Sequence, residues 1–247
     1  MVLPTVKNIA KLCDGDKAAL LEALQDWGLI LREGGYPCPK RGTQLKLRPE
    51  DDRVDSWIWI CSGYVQARKQ KRQRCRTRVS FRTGTFFERT NELRTSHLSL
   101  FQILGFVDLW VSGMPLNFIS RELEISKRVA VDWASFCREV VLNAMFDLKT
   151  KLGGPGDPVT GAHTNSIEGS WRGAKAVTGP AGRKKAHIPG NLAKYMFFKR
   201  WQELRLDRTT EFFRLAGQLY NPLTEHPPDD RDNEEQEEEE VEEDQHA

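Results

Sequence analysis

Residues 96–113 form the most apolar stretch of this 247-residue chain, and they set the strictest limit on its fold. A helix over this stretch is apolar on nearly all its sides, with Ser96 as an N-cap and Gly113 as a terminator. Such a helix has no side for solvent, so other elements must enclose it. Nowhere does the chain contain a run of about 18 or more apolar residues, so we expect no membrane span.

The charge of the chain is divided unevenly between its body and its end. Twelve acidic residues and one arginine give the segment from Asp229 to Asp244 a charge of −11. Because the whole chain carries +2, residues 1–228 carry +13. A basic body predicts a polyanionic partner, and a self-repelling acidic tail is typical of disorder. The tail can stay solvated, contact basic proteins or fold back as a nucleic-acid mimic.

The cysteines are odd in number and widely spaced, which indicates free thiols or metal ligands rather than disulfides. Tyr36-Pro-Cys-Pro-Lys-Arg-Gly42 is similar to one knuckle of a zinc ribbon, with Arg41 where a second cysteine belongs. The second knuckle would be Cys61 and Cys75, although thirteen residues separate them instead of the usual two to four. We expect either an incomplete zinc site of Cys38, Cys61 and Cys75 or three buried cysteines acting as small hydrophobes. Short β-like runs lie nearby, at residues 43–48, 57–61 and 78–81.

A dense basic cluster begins between the last two of these cysteines. Much of this cluster is predicted to form one loop. Its members are Arg68, Lys69, Lys71, Arg72, Arg74, Arg76, Arg78 and Arg82. Such a cluster suits contacts with phosphates, whose strength is electrostatic and sensitive to salt. A nuclear-import signal or a simply solvated loop is the alternative.

Residues 115–141 predict two helices joined by a tight turn. Pro115 suits a first helical turn, and Ser126 restarts a helix whose apolar residues recur as far as Val140. The second helix opens with Ser126, Lys127 and Arg128, as in a helix-turn-helix whose second helix begins in the major groove. An ordinary helical hairpin is the alternative. Other helices are predicted over residues 5–27, from Pro189 onward, and after Thr209 or Thr210 as the cap.

A Pro- and Gly-rich entry leads into another helix start at Asp157-Pro-Val-Thr-Gly-Ala-His-Thr-Asn-Ser-Ile-Glu-Gly-Ser-Trp171, continued by Arg172 and Lys175. Asn165 and Glu168 have the spacing of a capping box, in which the glutamate reaches back to a free backbone N–H. A carboxylate in this position is also a candidate metal ligand. The spacing alone favours the cap.

Two of these segments resemble Merlin-superfamily transposases and the related bacterial insertion-sequence transposases. The block from His163 to Trp171 resembles their last catalytic block, and Ile-Ser-Lys-Arg-Val-Ala-Val-Asp-Trp-Ala-Ser-Phe-Cys-Arg-Glu-Val resembles the segment that precedes their catalytic domain. The resemblance covers residues 15–156 and again 157–203. It implies that residues 115–141 are a helix-turn-helix and that Glu168 is the third member of a metal-binding Asp-Asp-Glu triad.

Nearly all of the ribonuclease-H-like catalytic sheet that this family carries is missing between Gly156 and Asp157. The first two triad carboxylates, which the resemblance places on that sheet, have no counterpart here. Strand transfer uses two divalent ions about 3.5–4 Å apart, and one carboxylate cannot supply the oxygen ligands that both require. We therefore expect an inactive, transposase-derived DNA-binding protein, domesticated or a relic. The alternative is an active Merlin-type transposase, using Mg²⁺ or Mn²⁺, whose catalytic exon was skipped or lost from the sequence.

These observations predict an α+β, mainly helical fold with a small zinc-ribbon-like β element, a helix-turn-helix, remnant helices of a ribonuclease-H-like domain and a disordered acidic tail. The remnant helices would either pack on the helix-turn-helix or sit loosely. The predicted divisions are 1–35 (N-terminal helices), 36–95 (degenerate ribbon with its basic loop), 96–152 (helical region), 153–221 (catalytic-domain remnant) and 222–247 (tail).

The expected partners are DNA and either a second copy of the chain or an intact transposase, in the nucleus if the source is eukaryotic and otherwise in the cytoplasm. The predicted DNA contacts are Arg68, Lys69, Lys71, Arg72, Arg74, Arg76, Ser126, Lys127, Arg128, Arg172 and Lys175.

Overall fold

The computed structural model describes residues 3–32, 35–50, 55–65, 73–88, 90–91, 94–95, 98–147, 174 and 188–223. Within these ranges the protein is mainly helical and carries a small antiparallel sheet, as predicted. The helices are α1 (Val6–Asp14), α2 (Lys17–Asp26), α3 (Leu100–Val111), α4 (Leu116–Glu122), α5 (Lys127–Asp147), α6 (Ile188–Leu204) and α7 (Arg208–Leu219). The strands are β1 (Lys46–Pro49), β2 (Trp57–Ile60), β3 (Tyr64–Val65), β4 (Gln73–Arg74), β5 (Arg78–Ser80), β6 (Thr90–Asn91) and β7 (Arg94–Thr95). In the part of the chain described, no helix has the length and apolar character needed to cross a membrane.

Helix α3 is enclosed on nearly every side, as its composition requires. Its buried residues include Ile103, Leu104, Phe106, Val107 and Trp110. The helix begins later than predicted, because Ser99 caps it and not Ser96. The Ser99 hydroxyl accepts a hydrogen bond from the Gln102 N–H at 3.2 Å, and the Gln102 side chain accepts one from the Ser99 N–H at 3.0 Å. Gly113, at φ +83°, follows the helix end as predicted.

Helix α5 is the long element against which α3, α4, α6 and α7 pack. Its buried face carries Ala130, Trp133, Ala134, Cys137, Val140 and Val141. Helix α6 runs close beside it: a Cβ on Gly190 would lie 3.2 Å from the Cβ of Arg138. The C-terminal helices therefore pack on α5 instead of sitting loosely, and they bury Ala193, Phe197, Trp201, Phe212, Phe213 and Ala216.

The start of α7 differs from the predicted one. Asp207 is the cap, since its carboxylate accepts a hydrogen bond from the Thr210 N–H at 2.7 Å. Thr209, one of the two predicted caps, instead donates its hydroxyl to Asp108 of α3 at 2.6 Å. Asp108 also accepts from the Val6 N–H at 2.9 Å, so one carboxylate joins the first turns of α1 and α7. Burial raises the pKa of Asp108.

The main sheet has the strand order β1-β2-β5, with antiparallel neighbours. Leu47 faces Trp59 across the first pair, both side chains are buried, and the Tyr36 ring lies 5.6 Å from the Trp59 ring. The 3₁₀ turn Phe86–Glu88 then joins the sheet to the helices. The Phe86 ring lies 5.6 Å from Trp133 of α5, and it also contacts Phe212 and Tyr220. Sheet and helices thus contribute to one continuous hydrophobic core.

Candidate metal centre and nucleic-acid interface

The three cysteines of the predicted zinc site lie together. The Sγ atoms of Cys38, Cys61 and Cys75 all lie within 4.8 Å of one another, and all three residues are buried. Cys61 directly follows β2, Cys75 lies between β4 and β5, and Cys38 lies in the turn before β1. Three sulfurs at this separation match the size of a metal coordination shell.

A hairpin explains how Cys61 and Cys75 meet despite their long spacing. Strands β3 and β4 pair with Tyr64 opposite Arg74, so the inserted segment leaves the sheet and returns to it at the same place. The Cys75 N–H donates to the Gly63 carbonyl at 2.8 Å and closes the base of this hairpin. The thirteen-residue separation is therefore compatible with a second knuckle.

The Cys38 turn is also closed by backbone hydrogen bonds. The Cys38 carbonyl accepts from the N–H groups of Arg41 at 3.1 Å and Gly42 at 2.7 Å, and the Cys38 N–H donates to the Thr43 carbonyl at 2.8 Å. Gly42 has φ +68°, a conformation in which a Cβ is strained. This turn holds the Cys38 sulfur towards the other two.

Two threonine hydroxyls lie against sulfurs of the cluster. Thr77 lies 3.2 Å from Cys75 Sγ, and Thr43 lies 3.4 Å from Cys61 Sγ. The hydrogen bonds to Thr77, side chain and then backbone, lower the pKa of Cys75 to about 7, with smaller contributions from Cys61 and Cys38. Cys13, which lies outside the cluster, has the opposite behaviour: burial, then the charge of Asp14, raises its pKa to about 11. Within the cluster, Cys75 is therefore the sulfur whose thiolate is favoured near neutral pH.

The donor set fits zinc at three of its four positions. Buried thiolates are the preferred ligands of structural zinc, which is normally tetrahedral. Among the described residues, the only cysteine, histidine or carboxylate groups that gather at this point are those of Cys38, Cys61 and Cys75. The turn from Cys38 to Gly42 and the segment from Cys61 to Cys75 contain no other residue of these types.

The predicted basic cluster divides into residues of different roles. Arg74 and Arg76 are exposed beside the cysteines, as a phosphate contact requires. Arg82, counted in that cluster from the sequence, is buried and paired with Asp55, and Arg78 is paired with Glu50. Arg82 is therefore not available for a phosphate contact, whereas the Arg78 side chain remains exposed. The other predicted contacts of the cluster, the two predicted contacts after Trp171, the predicted catalytic remnant and the acidic tail lie outside the described residues: Arg68, Lys69, Lys71, Arg72, Arg172, Lys175, Glu168 and residues 224–247.

The turn between α4 and α5 is fixed by its own residues and by α3. Leu123 and Ile125 are buried, while Glu124 between them has φ +53° and is exposed. The Ser120 hydroxyl donates to the Ile125 carbonyl at 2.7 Å. The Gln102 side chain of α3 donates to the Leu123 carbonyl at 3.0 Å. These contacts set the angle at which α5 leaves the turn.

The first turn of α5 presents the predicted residues to solvent. Ser126 caps the helix by accepting a hydrogen bond from the Val129 N–H at 3.2 Å, and Lys127 and Arg128 are exposed. Val131, one turn further, is 51% exposed and lies on the same surface. Val131 was not predicted from the sequence, although its position off the apolar face of the helix could have identified it.

Comparison of the chain with protein-family models, with curated proteins and with solved structures finds no match. Membership of the Merlin superfamily therefore stays a prediction from the two motifs around Ser126 and Glu168. The geometry of the cysteine cluster and of α5 is independent of that prediction.

Proposed function

We propose that this protein is a transposase-derived DNA-binding protein that no longer cuts or joins DNA. The observation that carries the proposal is the exposed first turn of α5, where Ser126, Lys127 and Arg128 project from a helix fixed by a buried turn. In a helix-turn-helix the second helix enters the major groove with its N-terminal residues at the base edges. Helix α4 would then cross the sugar–phosphate backbone.

The chemistry of this surface suits duplex DNA. Lys127 and Arg128 supply positive charge for phosphates or for guanine edges, and the exposed methyl groups of Val131 suit the thymine methyl group. The net charge of +13 over residues 1–228 adds a sequence-independent attraction to any polyanion. Arg74 and Arg76, at the base of the β3–β4 hairpin, extend the basic surface of the protein.

The loss of catalysis follows from the residues that the chain lacks. Glu168 is the one triad carboxylate that the resemblance identifies, and two hard divalent ions need several oxygen ligands each. The packing of α6 and α7 supports a chain that folds as it stands, because Phe197, Trp201 and Phe212 are buried in the described part of the chain, where these helices pack on α5 and α3. An active enzyme missing a segment at Gly156 and Asp157 remains the second candidate. Sequencing the native transcript and locus across these codons distinguishes the two.

We also propose that Cys38, Cys61 and Cys75 bind one zinc ion and that the segment is a zinc-ribbon-like element. The support is the mutual separation of the three buried sulfurs and the lowered pKa of Cys75. The metal would hold three parts of the segment together, since each contributes one ligand. They are the turn that begins at Cys38, the base of the β3–β4 hairpin at Cys75 and the end of strand β2 at Cys61.

Binding to duplex DNA should weaken steeply with salt, and it should weaken further when Lys127 and Arg128 are both replaced by alanine. We expect the double variant to bind about tenfold more weakly at moderate salt. The logarithm of its binding constant should also fall less steeply with the logarithm of the salt concentration. The slope should decrease by about 0.9 for each phosphate that the protein no longer neutralises. Fluorescence anisotropy with a labelled 30-base-pair duplex of mixed sequence, titrated at several salt concentrations, measures both quantities.

The matched control is Lys7→Ala with Lys11→Ala. Both lysines are exposed on α1, and the double variant changes the net charge by the same amount. Its affinity should stay within about twofold of the wild type. Equal losses in the two double variants would show that only net charge matters, and binding without salt dependence would remove the proposal.

The protein should not cleave DNA when it is given Mg²⁺ or Mn²⁺ and a duplex carrying terminal inverted repeats. The physical reason is the single carboxylate, which cannot position two ions for in-line attack. Denaturing electrophoresis of an end-labelled duplex detects nicks directly. Cleavage that disappears in Glu168→Gln would contradict the inactivity of this chain.

A further inference from the structure

We propose that the metal at Cys38, Cys61 and Cys75 keeps its fourth coordination position for an external ligand, a water molecule that a small thiol can replace. Arg41 supplies the balancing positive charge. This inference rests on the proposed zinc site and adds to it the class of ligand that completes the site.

The first step is the number of ligands that the local chain provides. Three sulfurs gather within 4.8 Å, and no further cysteine, histidine or carboxylate joins them among the residues described. The two loops that form the cluster contain no other such residue even where they are not described. Structural zinc sites close all four positions with protein ligands, whereas sites with three protein ligands bind and exchange a small molecule at the fourth.

The second step is the charge at that position. A divalent ion with three thiolates carries one net negative charge, and Arg41 carries one positive charge. A guanidinium near a bare cation would be repelled, but near this anionic complex it is attracted. The positive charge of Arg41 therefore opposes binding of a free cation but not the presence of the thiolate complex.

The third step is the position of the guanidinium. A Cβ built on Gly63 would lie 3.5 Å from Cys61 Sγ and 3.6 Å from Arg41 Nη1. The sulfur and the guanidinium nitrogen are therefore both next to the position that a Cβ at residue 63 would occupy. Thr43 Oγ1 lies 3.3 Å from that position. Glycine at residue 63 thus leaves space between the sulfur and the guanidinium.

The fourth step is access. The sulfurs are buried, yet Arg41, Thr43 and Ser62 around them are exposed. Only one layer of side chains therefore separates the sulfurs from solvent. Arg41 is a long side chain in this layer that can move aside. A small thiol fits this position: it would release its proton to solvent, its thiolate would replace the water on zinc, and the thiolate charge would face a guanidinium.

Cobalt substitution tests the inference on the full-length protein. Sulfur-to-cobalt charge-transfer absorption grows with the number of bound thiolates, so titration of the Co²⁺ protein with 2-mercaptoethanol should raise it by about one third, from three thiolates to four. Arg41→Cys should show the four-thiolate intensity at once, should not respond to the thiol, and should bind Zn²⁺ about tenfold tighter or more against a chelator.

Arg41→Ser and Lys40→Ser separate the charge of Arg41 from the fold of the turn. Both residues are exposed in the same turn, and each change removes one positive charge. We expect Arg41→Ser to keep the three-thiolate spectrum and to lose several-fold in affinity for 2-mercaptoethanol, while Lys40→Ser behaves as the wild type.

Two results would overturn the inference in different ways. Wild-type protein that binds Co²⁺ but shows no response to the thiol would have a closed fourth position, and the proposed zinc site would stand. Wild-type protein that binds neither Co²⁺ nor Zn²⁺ would remove the zinc site and this inference together. Equal thiol affinities of Arg41→Ser and Lys40→Ser would overturn the role of Arg41.

Discussion

Replacing Arg82 by methionine should lower the free energy of unfolding by about 3–5 kcal/mol, as breaking one side of a buried ion pair does. Arg82 is 8% exposed, and its guanidinium donates two hydrogen bonds of 2.6 Å to the Asp55 carboxylate. A third bond of 2.8 Å goes to the Leu98 carbonyl at the entry to α3. Methionine preserves the apolar stem but leaves the Asp55 charge buried without its partner, and this desolvated charge is the main cost.

Urea unfolding followed by circular dichroism measures the change. The control is Arg214→Met, since Arg214 makes an exposed pair with Glu211 at 3.0 Å and should cost less than about 1 kcal/mol. Adding Asp55→Leu to Arg82→Met should recover part of the loss, because it removes the unpaired charge. Equal losses in Arg82→Met and Arg214→Met would contradict the buried pair.

This ion pair lies between the two proposed sites. Arg82 follows β5 of the cysteine-bearing sheet and binds the backbone just before Ser99, the cap of α3. Gln102 of the same cap binds the Leu123 carbonyl in the turn before α5. A chain of hydrogen bonds thus fixes the sheet relative to the helix that would contact DNA.

The elements that the sequence predicts well are those with a local pattern. Trp57-Ile-Trp-Ile60 became β2, and the apolar stretch after Ser99 became α3, because a short run of aromatic and β-branched residues and all-round apolarity are properties of neighbouring residues. The buried faces of α5 and α7 follow the same periodicity. Ser126 also caps α5 as predicted, since a cap bonds within its own first turn.

The predictions that failed concern residues whose role depends on a partner far away in the sequence. Arg82 has the same sequence context as its basic neighbours, and only Asp55, 27 residues earlier, distinguishes it. Thr209 is also a residue type that caps helices, but it donates its hydroxyl to Asp108 of α3. The ligand residues of the metal site could be named from the sequence, while their proximity depends on a hairpin that the spacing alone did not reveal.

Gly217→Ala should destabilise the protein by about 2–3 kcal/mol, even though alanine is the better helix former. Gly217 lies inside α7, where alanine by itself would add about 1 kcal/mol of helix stability. A Cβ at this position, however, would lie 1.9 Å from the Gly28 carbonyl oxygen and 2.7 Å from the carbonyl carbon. Both are backbone atoms in a turn that Gly28 holds at φ +79°, so rotation of a side chain cannot relieve the overlap.

Relief therefore requires α7 to move away from the turn after α2. That movement would separate the Trp27 and Phe213 rings, whose centroids are 5.3 Å apart, and would open the core between the end of α2 and α7. Thermal unfolding should show a clear fall in Tm for Gly217→Ala, while Gln218→Ala, at the exposed next position, should stay within about 0.5 kcal/mol of the wild type. A gain in stability from Gly217→Ala would mean that helix propensity outweighs the contact, and that α7 does not approach Gly28 as closely as described.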